Sequence, residues 1–259
     1  MNRINELFAA KSSSILSVYF TAGYPQLSST EEVIRQLSNK GVDMIEIGIP
    51  FSDLLADGPV IQNSSRVALQ NGMTQRLLFE QLKNVRKITN IPLILMGYIN
   101  PILQLGFEEF CRQAQSVGID GFIVPDLPMS EYLRDFQPIA RRYGLENILL
   151  ITPETPDERI RLIDEHSNGF IYMVSSASTT GMQSSFSEEK EKYFKRIQDM
   201  KLKNPTLVGF GISNKETFDS ACRFSRGAII GSALVKALGD SASVEQAVDK
   251  LLADIGILG

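Results

Sequence analysis

Short apolar runs rich in β-branched residues alternate with helical patterns eight times along this 259-residue chain, and no other feature of the sequence restricts its fold as much. The runs are Ser14–Thr21, Asp43–Ile47, Pro92–Met96, Gly121–Val124, Asn147–Ile151, Gly169–Val174, Thr206–Val208 and Ala228–Ile230. Apolar residues at helical spacing fall near Ser29–Asn39, Val60–Gln70, Thr74–Ile88, Phe107–Val117, Ser130–Tyr143, Pro156–His166, Ser187–Met200, Lys215–Phe224 and Ser243–Ile255. Strands separated by helices at this spacing form βαβ units and a parallel sheet. Eight such units in about 250 residues favour a closed (β/α)8 barrel, a TIM barrel, over an open sheet. A doubly wound sheet would want a Gly-rich turn after its first strand, where this chain has TAGYP. No linker or shift in composition marks a second domain, so residues 1–259 read as one. The opening stretch Asn2–Ala10 reads as a short helix across the barrel bottom.

Composition removes several classes of function. With 26 Lys and Arg against 30 Asp and Glu, the net charge of −4 leaves no basic footprint for nucleic acid or an anionic membrane. The two cysteines, Cys111 and Cys222, sit at apolar helical positions and belong to no Cys/His cluster. The first residues lack an apolar stretch followed by a small-residue cleavage site, and no run approaches the ~18 apolar residues of a membrane span. The expected compartment is the cytoplasm.

In a barrel, chemistry belongs at the carboxyl ends of the strands and in the loops that follow them. Two glycine-bearing turns, VGFGISN and IIGSALV, follow consecutive runs near the C-terminus. Backbone N–H groups near Gly209, Gly211, Gly231 and Ser232, with a helix starting at Gly231, are suited to hold a phosphate. The densest polar stretch is IEIGIPFSDLLADGP, Ile45 to Pro59. Strand alternation sets Glu46 on the face opposite Ile45 and Ile47, so if these pack on helices, Glu46 points into the barrel. A carboxylate there has a raised pKa and can carry a proton near neutral pH. The alternative is a structural glutamate satisfied by hydroxyls such as those of Tyr19 or Tyr172. Asp53 and Asp57 follow in a loop bounded by Pro50 and Pro59, where aspartate is as readily a turn former as a reactive group.

Absences narrow the reaction. The only histidine, His166, ends a helical pattern, which removes a His base or a Ser-His-Asp triad. No lysine stands at an expected strand end for Schiff-base chemistry, and no carboxylate/His cluster offers metal ligands. Proton transfer by carboxylates on a phosphorylated substrate remains.

The stretches IEIGIPFSDLLADGP, YFTAGYP (Tyr19–Pro25), LMGYINP (Leu95–Pro101), PDLP (Pro125–Pro128), ITPETP (Ile151–Pro156), GFGIS (Gly209–Ser213) and GSALV closely resemble the tryptophan synthase α chain family over essentially the whole chain. The resemblance implies reversible retro-aldol cleavage of indole-3-glycerol phosphate to indole and glyceraldehyde 3-phosphate, with Glu46 and Asp57 as the catalytic carboxylates. It implies substrate contacts from Tyr19, Tyr172, Thr180, Gly181, Gly209, Gly211, Gly231 and Ser232. No cofactor or metal is implied in this chain. Pyridoxal phosphate belongs to a partner β chain in an α2β2 heterotetramer, to which the indole passes. The implied docking rim carries Pro50, Asp53, Leu54 and Asn100, with Leu54 and Leu55 expected to face water. The other reading tucks both leucines into the barrel top. Leu54 stands where the family usually has proline and Ser178 where glycine is common, both in loops. Two alternatives stay open: a free-standing lyase, and a silent barrel that only activates a β chain.

Overall fold

Among the described residues every strand pairing is parallel, as the alternation requires. The computed structural model describes residues 2–54, 57–175, 188–209 and 211–257. In chain order the strands are β1 (Ile15–Thr21), β2 (Met44–Gly48), β3 (Leu93–Met96), β4 (Gly121–Ile123), β5 (Glu146–Asn147), β6 (Leu149–Ile151), β7 (Ile171–Val174), β8 (Thr206–Gly209) and β9 (Gly227–Ile230). Their order in the sheet is β5-β4-β3-β2-β1-β9-β8-β7-β6. The two edges, β5 and β6, are separated in the chain only by Ile148, whose N–H still donates to the carbonyl of Phe122 at 2.9 Å. The sheet is therefore a barrel of eight staves, and the fifth passes from β4 to β7 at Ile148. The expected run Asn147–Ile151 divides there because closing an eight-stranded barrel demands tilt and stagger, which one residue absorbs.

Two apolar layers follow from strand alternation. Ile45, Ile47, Val18, Phe20, Leu93 and Leu95 face outward onto the helices. Ile15, Met44, Ile94, Ile123, Ile148, Phe170 and Ile229 fill the barrel interior. The helix Arg3–Ala10 closes the bottom as expected: Ile4 and Phe8, one turn apart, insert into that inner cluster, and Phe8 meets Phe170 with ring centroids 5.6 Å apart. Burying two such side chains contributes on the order of 1.5–3 kcal/mol each. Asn2 caps the helix by accepting from Ile4 N at 2.9 Å, and Arg3 pairs at 2.9 Å with the buried Asp120, which also holds Arg86 at 2.6 Å.

Two helical expectations are refined and one helix is added. The pattern Thr74–Ile88 resolves into the helix Gln75–Leu82 and a tight turn, Val85–Lys87. That turn aims Arg86 at the carbonyls of Gly118 and Ile91 and at Asp120. The pattern Ser130–Tyr143 is interrupted by a wide π turn, Tyr132–Phe136, before Gln137–Arg142. Pro138 has no N–H to continue an α-helical ladder there. Residues Ile99–Leu105, outside the helical patterns read from the sequence, form a helix. Its start is capped from afar by Asp126, which accepts from Ile99 N at 3.0 Å.

Candidate active site

On β2, Met44 joins the interior cluster while Ile45 and Ile47 join the outer one, so Glu46 points into the barrel. It is 0% exposed. Its Oε1 accepts from Ser17 Oγ at 2.9 Å, and its Oε2, also shut from solvent, has no hydrogen-bond partner among the described residues. Burial pushes the Glu46 pKa up to about 8, with the Ser17 hydrogen bond pulling weakly the other way. A carboxyl so placed is mostly protonated at neutral pH yet able to ionise, which suits a group that gives and takes one proton. The hydroxyl that donates to it is that of Ser17, which the sequence reading did not name beside Tyr19 and Tyr172. Ser17 lies two residues before Tyr19 on the same face of β1, a placement that alternation alone could have revealed.

Asp57 is also buried. The helix that follows Asp57, Pro59–Gln70, has Gly58 as its N-cap, a residue with no side chain to offer its first amides. Asp57 Oδ2 accepts from Tyr98 OH at 2.8 Å. Gln62 Nε2 braces the same loop by donating to the carbonyls of Asp57 at 2.9 Å and Leu54 at 3.1 Å. Burial raises the Asp57 pKa and the Tyr98 hydrogen bond offsets part of the rise.

Two phenols complete the chamber. Tyr19 lies across Gly48 and Tyr172 across Gly209, so closely that a Cβ on either glycine would collide with the facing ring. Both tyrosines are held protonated, first by burial and then by the fields of Glu46 and Asp57 together. The structure thus brings Glu46, Asp57, Tyr19 and Tyr172 into one interior site.

The two glycine turns sit side by side, because Gly209 pairs in register with Ile229 and each turn begins two residues further on. Gly211 has φ +75°, which favours glycine, and Gly231 is the N-cap of the helix Ser232–Asp240 with no side-chain cap. That helix's first amides have no intrahelical acceptor and open onto the mouth. Gly209 ends β8 and makes room for Tyr172.

On the rim, Asp53 and Asn100 are exposed, whereas Pro50 is buried. Leu54 is only 7% exposed, which corrects the expectation that it faces water: the loop folds over the barrel top and Gln62 holds its backbone there. Leu55, Thr180, Gly181 and Ser178 lie outside the described residues. Beyond Ser17, sequence reasoning gave Tyr98 no role, although it stands just past β3. Among the described residues no group of three or more His, Cys, Asp or Glu is placed to hold a metal, and no helix is long and apolar enough to cross a membrane.

Comparisons with known proteins bear on the family and the fold. The family described as tryptophan synthase alpha chain matches residues 6–257. The tryptophan synthase alpha chain of Parabacteroides distasonis is 58% identical over 252 residues, covering 97% of this chain and 98% of its own. The solved tryptophan synthase subunit alpha of Legionella pneumophila superposes with a TM-score of 0.87 at 35% identity, covering 98% of this chain and 97% of that one. A chain of the tryptophan synthase complex of Pyrococcus furiosus superposes with a TM-score of 0.86 at 34% identity, covering 95% of this chain and 98% of that one. With a family match over almost its entire length and a relative of this identity, the chain belongs to the tryptophan synthase alpha chain family.

Proposed function

We propose that this chain cleaves indole-3-glycerol phosphate reversibly to indole and glyceraldehyde 3-phosphate, as an α subunit serving a β chain in tryptophan synthesis. The observation that carries the reading is Glu46: a fully buried carboxyl with one oxygen bound to Ser17, the other without a partner among the described residues, and a pKa pushed up by burial to about 8. Breaking the bond between indole C3 and the glycerol carbon requires an electron sink. Protonation of C3 by Glu46 makes one of the ring, as an indolenine cation with positive charge at N1. Asp57, ionised, accepts the N1–H hydrogen bond and stabilises that charge. Glu46, now a carboxylate, takes the proton of the adjacent side-chain hydroxyl. The hydroxyl oxygen becomes an aldehyde, the C–C bond electrons restore the indole, and Glu46 ends protonated as it began. Tyr19 and Tyr172 wall the chamber, and Gly211, Gly231 and Ser232, with Thr180 and Gly181, supply phosphate donors. No step calls for a cofactor in this chain. Pyridoxal phosphate belongs to the β chain, with which an α2β2 assembly in the cytoplasm is the working form.

The test is cleavage of indole-3-glycerol phosphate by the purified chain with and without a β chain. Replacing Asp57 by Asn keeps the shape and removes the charge opposite N1, so turnover should fall by at least about a hundredfold. Turnover within a few-fold of wild type would refute the assignment. A free-standing lyase is the second reading, favoured by the inward turn of Leu54, which takes an apolar group off the expected docking rim.

A further inference from the structure

On β1 the inward face carries Ile15, Ser17 and Tyr19, and Ser17 pairs in register with Met44 on one side and Ile229 on the other. Ile15, Met44 and Ile229 all belong to the apolar filling of the barrel, and Ser17 is fully buried among them. A hydroxyl in such a layer is unfavourable unless it is hydrogen-bonded, and valine would suit the strand better. Among the described residues the Ser17 hydroxyl has one bond, to Glu46 Oε1 at 2.9 Å. The direction of that bond matters. Glu46 pairs in register with Tyr19, so Ser17 sits one layer nearer the barrel bottom and meets the carboxyl from the side opposite the mouth. The second oxygen, Oε2, is engaged by no described residue. The other titratable groups of the chamber are Tyr19 on β1 and Tyr172 on β7, both held protonated by burial, and Asp57 with its partner Tyr98.

We propose that Ser17 is a positioning residue of the cleavage reaction: by donating to Oε1 it holds the Glu46 carboxyl from below and assigns the transferable proton to Oε2. The proposal rests on the lyase reading above. A neutral carboxyl has one oxygen that carries the proton and one that only accepts. A hydroxyl donating to Oε1 makes it the accepting oxygen, so the acid proton resides on Oε2. In cleavage Oε2 gives that proton to indole C3 and then recovers one from the side-chain hydroxyl, while Ser17 keeps its own proton throughout. Between the two transfers Glu46 is a carboxylate in an apolar layer. The Ser17 bond becomes charge-assisted at that stage and strengthens. Its contribution is therefore larger in the reacting state than in the ground state, and its loss falls on kcat.

Ser17→Ala removes the hydroxyl. Its kcat for indole-3-glycerol phosphate should fall about tenfold with KM little changed. The basic limb of the kcat/KM profile, set by loss of the Glu46 proton near pH 8, should move up by about one pH unit, because the ionised carboxyl has lost its donor. A serine with a merely structural role would lower activity at every pH and leave that limb in place. Ser17→Thr and Ser17→Val fill the same volume and differ in the hydroxyl, so the threonine variant should keep the wild-type limb and most of kcat while the valine variant follows alanine. In the substrate-free chain, the C=O stretch of the protonated Glu46 carboxyl, assigned by subtracting the infrared spectrum of Glu46→Gln, should rise in frequency in Ser17→Ala. A wild-type kcat and basic limb in the alanine and valine variants would overturn the proposal and leave the lyase reading intact. A wild-type chain that cleaves no indole-3-glycerol phosphate would overturn the lyase reading. The infrared shift in such a chain would still uphold the proton on Oε2, and its absence would remove that assignment as well.

Discussion

Tyr98 donates its hydroxyl to the carboxylate of Asp57 at 2.8 Å, tying the loop after β2 to the residues just past β3. That bond turns a loop aspartate away from the helix it precedes and toward the barrel mouth. It also favours the ionised form of Asp57 against the burial that raises its pKa. Tyr98→Phe removes the hydroxyl and keeps the ring, which packs beside Phe51. The Asp57 pKa then moves further up, so the acidic limb of the kcat/KM profile, which requires charged Asp57, shifts to higher pH. Turnover at pH 7 should fall about tenfold, as for loss of one hydrogen bond to a charged group. A variant with the wild-type pH profile would show that Tyr98 does not tune Asp57.

Glu46→Gln should nearly abolish cleavage while stabilising the fold. The folded-state pKa of Glu46, about 8, lies above its ordinary value of 4.5, so the native state holds this proton more tightly than the unfolded chain. Stability of the wild type therefore falls as pH rises from about 4.5 to about 8, then levels off. Glutamine cannot ionise and escapes this penalty. Denaturant titration should give the variant little advantage at pH 4 and one on the order of a few kcal/mol by pH 8 to 9. An advantage that did not grow with pH would mean that Glu46 ionises in the fold at its ordinary pKa.

How much of this site is legible in the sequence depends on what orients each residue. The inward direction of Glu46 follows from alternation within its own strand, since Met44 shares its face and Ile45 and Ile47 do not. Asp57 stays undecided because its partner, Tyr98, arrives from the next strand. Leu54 is misread for the same reason: Gln62, eight residues on, bonds its carbonyl and holds the loop down. The helix Ile99–Leu105 is missed because its cap, Asp126, lies 27 residues away. The break at Ile148 is set by where the barrel closes, which no local pattern records.

Gly209→Ala should inactivate by displacing Tyr172. The added Cβ would overlap the Tyr172 hydroxyl and two ring carbons, and the buried ring has little room to yield. Overpacking of this kind costs about 1–3 kcal/mol. In a double-mutant cycle with Tyr172→Leu, which removes the colliding ring, the added cost of Gly209→Ala should largely vanish. Additive costs would place the defect in the backbone of the β8 turn and not in the tyrosine.

The rim predicts its own docking behaviour once Leu54 is recognised as buried. Asp53 is exposed after β2 and Asn100 is exposed on the helix after β3, which also presents Leu103 at 48% exposure. These groups lie on the two segments joined by the Tyr98–Asp57 bond, so a β chain that grips either segment also acts on the carboxylate that serves the reaction. Asp53→Ala and Asn100→Ala should each weaken association with a β chain by several-fold or more in titration calorimetry and reduce its activation of cleavage, while the basal rate of the isolated chain stays near wild type. Leu54→Asp is expected to behave differently. Burying a new charge should loosen the loop around Asp57 and lower even the basal rate. Unchanged affinity and unchanged activation in both alanine variants would take this rim out of the interface and leave the free-standing lyase as the better reading.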